Sequence, residues 1–175
     1  HWQRADHWAA AATALLEARG DLVDEQQSED LLEALVRFPP GALAQPQGRA
    51  VQLLAADLAL RLGRRDAALT ACRAALRLSA MPAEQAPLYR RLGKLYEQRN
   101  QRHALAYYQQ AVERFAADDP ELITLYKDRA WLYILRREWS AAPAALEAAL
   151  PAPLDSASAR ADILDALASL HRQQG

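Results

Sequence analysis

Cysteine occurs once in this 175-residue chain, at Cys72. An internal disulfide and a multi-cysteine metal site are therefore excluded, and the usage fits a reducing compartment. No uninterrupted apolar run approaches the roughly 18 residues that span a bilayer. The opening HWQRADHW has neither the charged n-region nor the apolar h-region of a signal peptide. The expected location is cytoplasmic, without membrane contact. An excess of one charge is also missing: 21 Lys and Arg against 22 Asp and Glu leave a formal net charge of -1. Nothing draws such a segment to a phosphate backbone, and direct nucleic-acid contact is not expected. Lysine is nearly absent, at Lys94 and Lys127 only, and arginine supplies the rest of the basic residues; with the abundant alanine this reads as a GC-rich genome rather than as chemistry. The chain opens at His1 rather than methionine, on residues that look like the end of a helix, so it is expected to be a piece of a larger protein.

What is present is helical periodicity. Apolar residues recur at three and four almost throughout, and no stretch alternates at period two over a strand's length. Glycine and proline sit at the breaks, near Arg19-Gly20, Phe38 to Gly41, Gly63-Arg64, Met81-Pro82, Arg99-Asn100, Asp118 to Pro120, Arg137-Glu138 and Pro151 to Pro153. Helices of about 12 to 18 residues remain between them. Asp119 before Pro120 and Glu121 reads as an N-cap, as do Ser140 before Ala141 and Ser28 in SEDLLEALVRF.

The helices repeat. The break residues Gly63, Asn100, Arg137 and Gly175 are 37, 37 and 38 apart, and so are the small residues Ala56, Gly93, Ala130 and Ala168. In the second helix of each pair Ala68, Ala104 and Ala142 are spaced 36 and 38, as are Ala75, Ala111 and Ala149. The unit is a helix-turn-helix hairpin, close to the roughly 34 residues of a tetratricopeptide repeat. The best-preserved copy supplies Tyr89, Leu92, Gly93, Tyr96, Ala104, Tyr108 and Ala111 in order, with one residue fewer in the turn than usual. The next has Tyr126, Ala130, Tyr133, Trp139, Ala142, Leu146 and Ala149, with Arg129 where leucine is expected; in the preceding copy Gln52 and Ala59 replace the aromatics. These residues resemble the tetratricopeptide family, which implies an all-α, right-handed superhelix of antiparallel hairpins.

The expected layout is one solenoid over residues 1–175: divergent helices at 1–47, hairpins at 48–82, 83–119 and 120–156, and the first helix of a further repeat at 157–175. The order in which LLEALVRFPP precedes LLAADLALRLGRRDAAL is similar to the helical repeat domain of bacterial signal-transduction ATPases with numerous domains (STAND), including regulators like the maltose-regulon activator. That resemblance implies a ligand- or partner-sensing module within a cytoplasmic regulator. The alternative from another class is a free-standing scaffold or co-chaperone.

Catalytic chemistry finds no foothold. A nucleophile needs a base and an orienting acid, and a metal needs ligands on one face. Cys72 falls in the slot that Tyr108 and Leu146 fill in later repeats and reads as a packing thiol, while His171 stands where Tyr96 and Tyr133 sit. His1 and His7 do not share a helical face. Arg19-Gly20-Asp21 is better explained by Gly20 ending a helix. There is no glycine-rich phosphate loop. The chain is expected to be no enzyme and to need no cofactor or metal.

The family resemblance implies that the first helix of each hairpin lines the concave surface. With Tyr89, Leu92, Gly93 and Tyr96 packed inward, Arg90, Lys94 and Glu97 share another face. One repeat later that face carries Lys127, Trp131 and Ile134, and one earlier Leu53, Asp57 and Leu60; at the end come Asp165, Ser169 and Arg172. The candidate groove residues are thus Asp57, Arg90, Lys94, Lys127, Trp131 and Arg172, a basic patch beside an aromatic platform. Such a groove suits a protein or peptide, in particular an acidic or carboxylate-bearing one, or a small-molecule inducer such as a sugar stacked on the tryptophan. The other reading is a solvated face with charges paired along the helix. The asparagine of chaperone-tail grooves is missing, since Asp57, Lys94, Trp131 and Ser169 occupy its column.

Overall fold

The computed structural model describes residues 2–18, 25–39 and 41–149, together with 161, 163–165, 167, 168 and 172. Among the described residues the regular elements are helices: α1 (Trp2–Ala18), α2 (Glu25–Val36), α3 (Gln45–Arg61), α4 (Arg65–Arg77), α5 (Pro82–Tyr96), α6 (Gln101–Val112), α7 (Glu121–Leu135) and α8 (Ala141–Glu147). Further helical residues lie between 161 and 172. Helix ends fall where the sequence is punctuated, because glycine and proline there remove either the chiral bias or the amide that a continuing helix needs. The expected breaks at Arg19-Gly20 and Pro151 to Pro153 lie outside the described residues.

The turns show how the repeat closes. After α3 the Gly63 amide donates to Leu60 and the Arg64 amide to Ala59, with Gly63 at φ +68°. After α7 the Arg137 amide donates to Ile134 and the Glu138 amide to Tyr133, with Arg137 at φ 59°. Both are the paired helix-ending bonds that satisfy orphan carbonyls through one left-handed residue. Asn100 stands in the same column but does another job: it is extended, and its side chain accepts the His103 amide as the N-cap of α6. The shorter turn of that repeat leaves the next helix starting one residue sooner.

Two expected caps are corrected. Ser140 makes no side-chain cap bond, because its φ −71° and ψ −25° are already helical while a capping hydroxyl needs the extended region. Ser28 is buried inside α2, which begins at Glu25 because Glu25, Gln26 and Gln27 are all good helix formers. Asp119 Oδ1 does accept the Glu121 amide at 2.9 Å, although the N-cap position of α7 itself is Pro120.

The chain forms two compact units, residues 1–84 and 85–175. In the first, α3 packs on α4, α2 and α1, around Leu31, Leu35, Val51, Leu58 and Cys72. Gln47 ties α3 to α1 by donating to the Ala9 carbonyl at 2.7 Å and to Thr13 Oγ1 at 3.0 Å. In the second, one cluster joins Ala104, Tyr108, Ala111, Leu122, Leu125 and Leu132 across α6 and α7. Another joins Ala130, Ala142, Leu146 and Ala149 to Ile163 and Leu167 in the helical residues after α8.

Candidate functional site

Within the second unit, α5 and α6 approach most closely at Gly93. A Cβ placed on Gly93 would stand 2.4 Å from the ring carbons of Tyr108, which is fully buried. The glycine is therefore the socket for that ring. Tyr107, its neighbour, stays half-buried on another face, stacked on Tyr96 at 5.4 Å and 6.3 Å from Tyr89. Arg114 lies over the Tyr89 ring at 4.6 Å, while its Nε donates to Gln85 at 2.9 Å.

The Tyr108 hydroxyl emerges from this socket under the face shared by α5 and α7, donating to Glu97 Oε1 at 2.5 Å. Glu97 also takes the Lys94 ammonium at 3.2 Å, and Lys94 reaches across to Asp128 Oδ1 on α7 at 3.5 Å. Arg90, one turn before Lys94, pairs with Glu121 at the start of α7 and lies 3.9 Å from Asp128. The result is a continuous ionic seam along two adjacent first helices, rooted in the core through a tyrosine.

Its electrostatics follow from burial. Loss of water works against the Lys94 ammonium, but the Asp128 charge and the bond to Glu97 outweigh it and hold its pKa above the usual 10.5. Burial and the hydrogen bond to Glu97 push the Tyr108 hydroxyl far up, so it stays a donor. Asp128 is lifted above its ordinary 3.8 by burial; Lys94 and Arg90 pull it down, Glu97 pushes it up, and the balance remains upward.

Arg90 and Lys94 thus stand together, as the spacing requires, but each is engaged by carboxylates and they form a shared network rather than an open basic patch. Lys127 is half-buried on α7. Trp131 is exposed on the same helix, at 55% of its surface, so the helical residues after α8 do not bury it. Asp57 is exposed on α3 of the first unit, and Arg172 is exposed in the helical residues of the second. Ser169 lies outside the described residues. Sequence reasoning missed Glu121 and Asp128. Spacing at three and four reveals partners within one helix, whereas these come from the next repeat. Among the described residues no group of three His, Cys, Asp or Glu side chains is placed to hold a metal ion, and no helix is long and apolar enough to cross a membrane.

Fold and site together define an all-α protein of consecutive antiparallel helix pairs, tetratricopeptide-like in packing. No protein-family model matches the sequence, and no curated protein matches it. Among solved structures it is similar to BtubC (BKLC) from P. vanneervenii, with a TM-score of 0.69 over 92% of this chain and 70% of that one, at 21% identity. At that identity the likeness carries the fold.

Proposed function

We propose that this chain is a non-catalytic binding module whose protein or peptide partner lies along α5 and α7, and that it serves as the sensing domain of a larger cytoplasmic regulator of the STAND type. The observation that carries the binding reading is Trp131. A tryptophan left 55% exposed beside an ordered ionic seam keeps a large apolar surface in water, and such surfaces mark interfaces. Arg90 and Lys94 belong to the adjoining seam and Lys127 to the same helix, and a small-molecule inducer stacked on the indole would use the same platform. Arg172 is a further candidate in the second unit, and Asp57 is a candidate in the first. The regulator assignment rests on the order of helical segments in the sequence. A free-standing scaffold or co-chaperone is the second reading, supported by a fold that stacks hairpins into extended binding surfaces without any chemistry.

The test is a titration against peptide and small-sugar panels with Arg90→Ala, Lys127→Ala and Trp131→Ala. Trp131→Ala is expected to weaken binding about tenfold or more, the behaviour of an aromatic anchor. Three variants that all bind like the parent would remove the site. Reading the coding sequence on either side separates the two roles: an upstream phosphate-binding loop or a downstream helix-turn-helix supports the regulator, and neither supports the scaffold.

A further inference from the structure

In the seam the carboxylates of Glu97, Glu121 and Asp128 meet Arg90 and Lys94. Helical spacing puts Glu121, Thr124, Asp128, Trp131 and Leu135 in a single stripe of α7, three and four apart. The C-terminal half of that stripe is apolar and open, Trp131 and Leu135 being 55% and 48% exposed. Lys127 lies about 100° around the helix from Asp128, with Trp131 between them. The indole therefore has the Lys127 side chain on one flank and the Asp128 carboxylate on the other.

Lys94 is the most exposed member. Its ammonium bridges Glu97 and Asp128 at 3.2 and 3.5 Å, yet 61% of its side chain is exposed, whereas those of Asp128 and Glu97 are 19% and 17% exposed. The solvated ammonium is thus the end of the pair that another cation can replace, while the two carboxylates stay in place. Asp128, lifted by burial and by Glu97, is held by Lys94 and Arg90 only at 3.5 and 3.9 Å.

We propose that the α5–α7 face receives a basic side chain of a peptide partner, an arginine or lysine that lies on Trp131 and takes over Asp128 and Glu97 from Lys94, with an apolar residue of the same peptide against Leu135. Lys94 is then an internal stand-in for the ligand's cation. A guanidinium fits best, because it can stack on the indole face and bond the Asp128 carboxylate in the same plane. This rests on the peptide-binding reading above but reverses the charge of partner that the sequence alone favours.

Two labelled amphipathic peptides decide it, identical in their leucine and phenylalanine residues and carrying either arginine or glutamate between them, followed by fluorescence anisotropy against the full chain. The arginine peptide is expected to bind about tenfold tighter, a factor within reach of one charged contact. Asp128→Asn should weaken it by a similar factor, and Lys94→Gln, which removes the stand-in, should strengthen it. A tighter glutamate peptide, or an arginine peptide weakened by Lys94→Gln, overturns the proposal. If the glutamate peptide binds and Trp131→Ala abolishes that binding, the groove survives and only its charge preference falls. If neither peptide binds, both readings fall.

Discussion

Gly93 and Tyr108 exchange volume. In the next repeat the same two positions hold Ala130 and Leu146, and in the preceding one Ala56 and Cys72, all of them buried. Each repeat fills one slot, and the largest occupant, a tyrosine, requires the smallest neighbour. Gly93→Ala gains about 1 kcal/mol of helix propensity but drives a methyl into a ring that is buried on every side, an overpacking that costs roughly 1–3 kcal/mol. The expected net loss is about 1 kcal/mol, read as a lower urea midpoint with unchanged slope. Tyr108→Leu placed on top of it recreates the combination of the next repeat, so the pair should cost less than the two single changes summed. Strict additivity would mean that the ring does not fill the glycine's place.

At the scale of the element, α5 and α7 are joined by charges whose balance can be titrated. Asp128 has a folded pKa raised above 3.8. Its favourable contribution is therefore fully present below the unfolded value and is lost as pH rises through the folded one, so the ionised form opposes folding at neutral pH. Asp128→Asn, which copies the neutral form, should melt higher than the parent at pH 7, and the difference should close as the pH falls toward 4. A variant that melts lower at neutral pH would show the seam to be a stabilising device instead. Lys94 works in the other sense: its raised pKa supports the fold below about 10.5 and the support is lost as pH rises through the folded value. A carboxylate kept ionised at some cost in stability is the usual condition of a group held for binding.

At the scale of the whole molecule, each of the two units has buried apolar residues of its own. In a chain of stacked hairpins each repeat touches only its neighbours, so stability is a sum of local terms rather than one cooperative quantity. Leu58 belongs to the first unit and Leu125 to the second, and both are fully buried. Leu58→Ala and Leu125→Ala are each expected to cost about 2–5 kcal/mol locally. Native-state hydrogen exchange should lose protection first in α3 and α4 for Leu58→Ala, and in α6 and α7 for Leu125→Ala. Equal loss of protection throughout the chain in either variant would show the two cores to be a single cooperative unit.

The all-α class, the hairpin period and most helix limits were determined by the sequence alone, because they depend on local chemistry: apolar spacing, chain-breaking residues and small residues at a fixed interval. Gly63 ends its helix by its own backbone freedom, and its place in the column carried the turn over to Arg137, a residue with no such freedom. Ser28 and Ser140 show the limit of that reasoning, since a capping side chain needs a backbone angle that neighbouring residues decide. The candidate face was legible only in part. Arg90, Lys94, Lys127 and Trp131 could be placed by adding the period, but their charges could not be balanced, because Glu121 and Asp128 meet Arg90 and Lys94 from a different hairpin. Tertiary packing alone decided that the two cations face carboxylates, that Tyr108 fills the hollow at Gly93, and that Trp131 stays in water. Each depends on the distance between side chains remote in sequence, and such distances follow from how the helices pack.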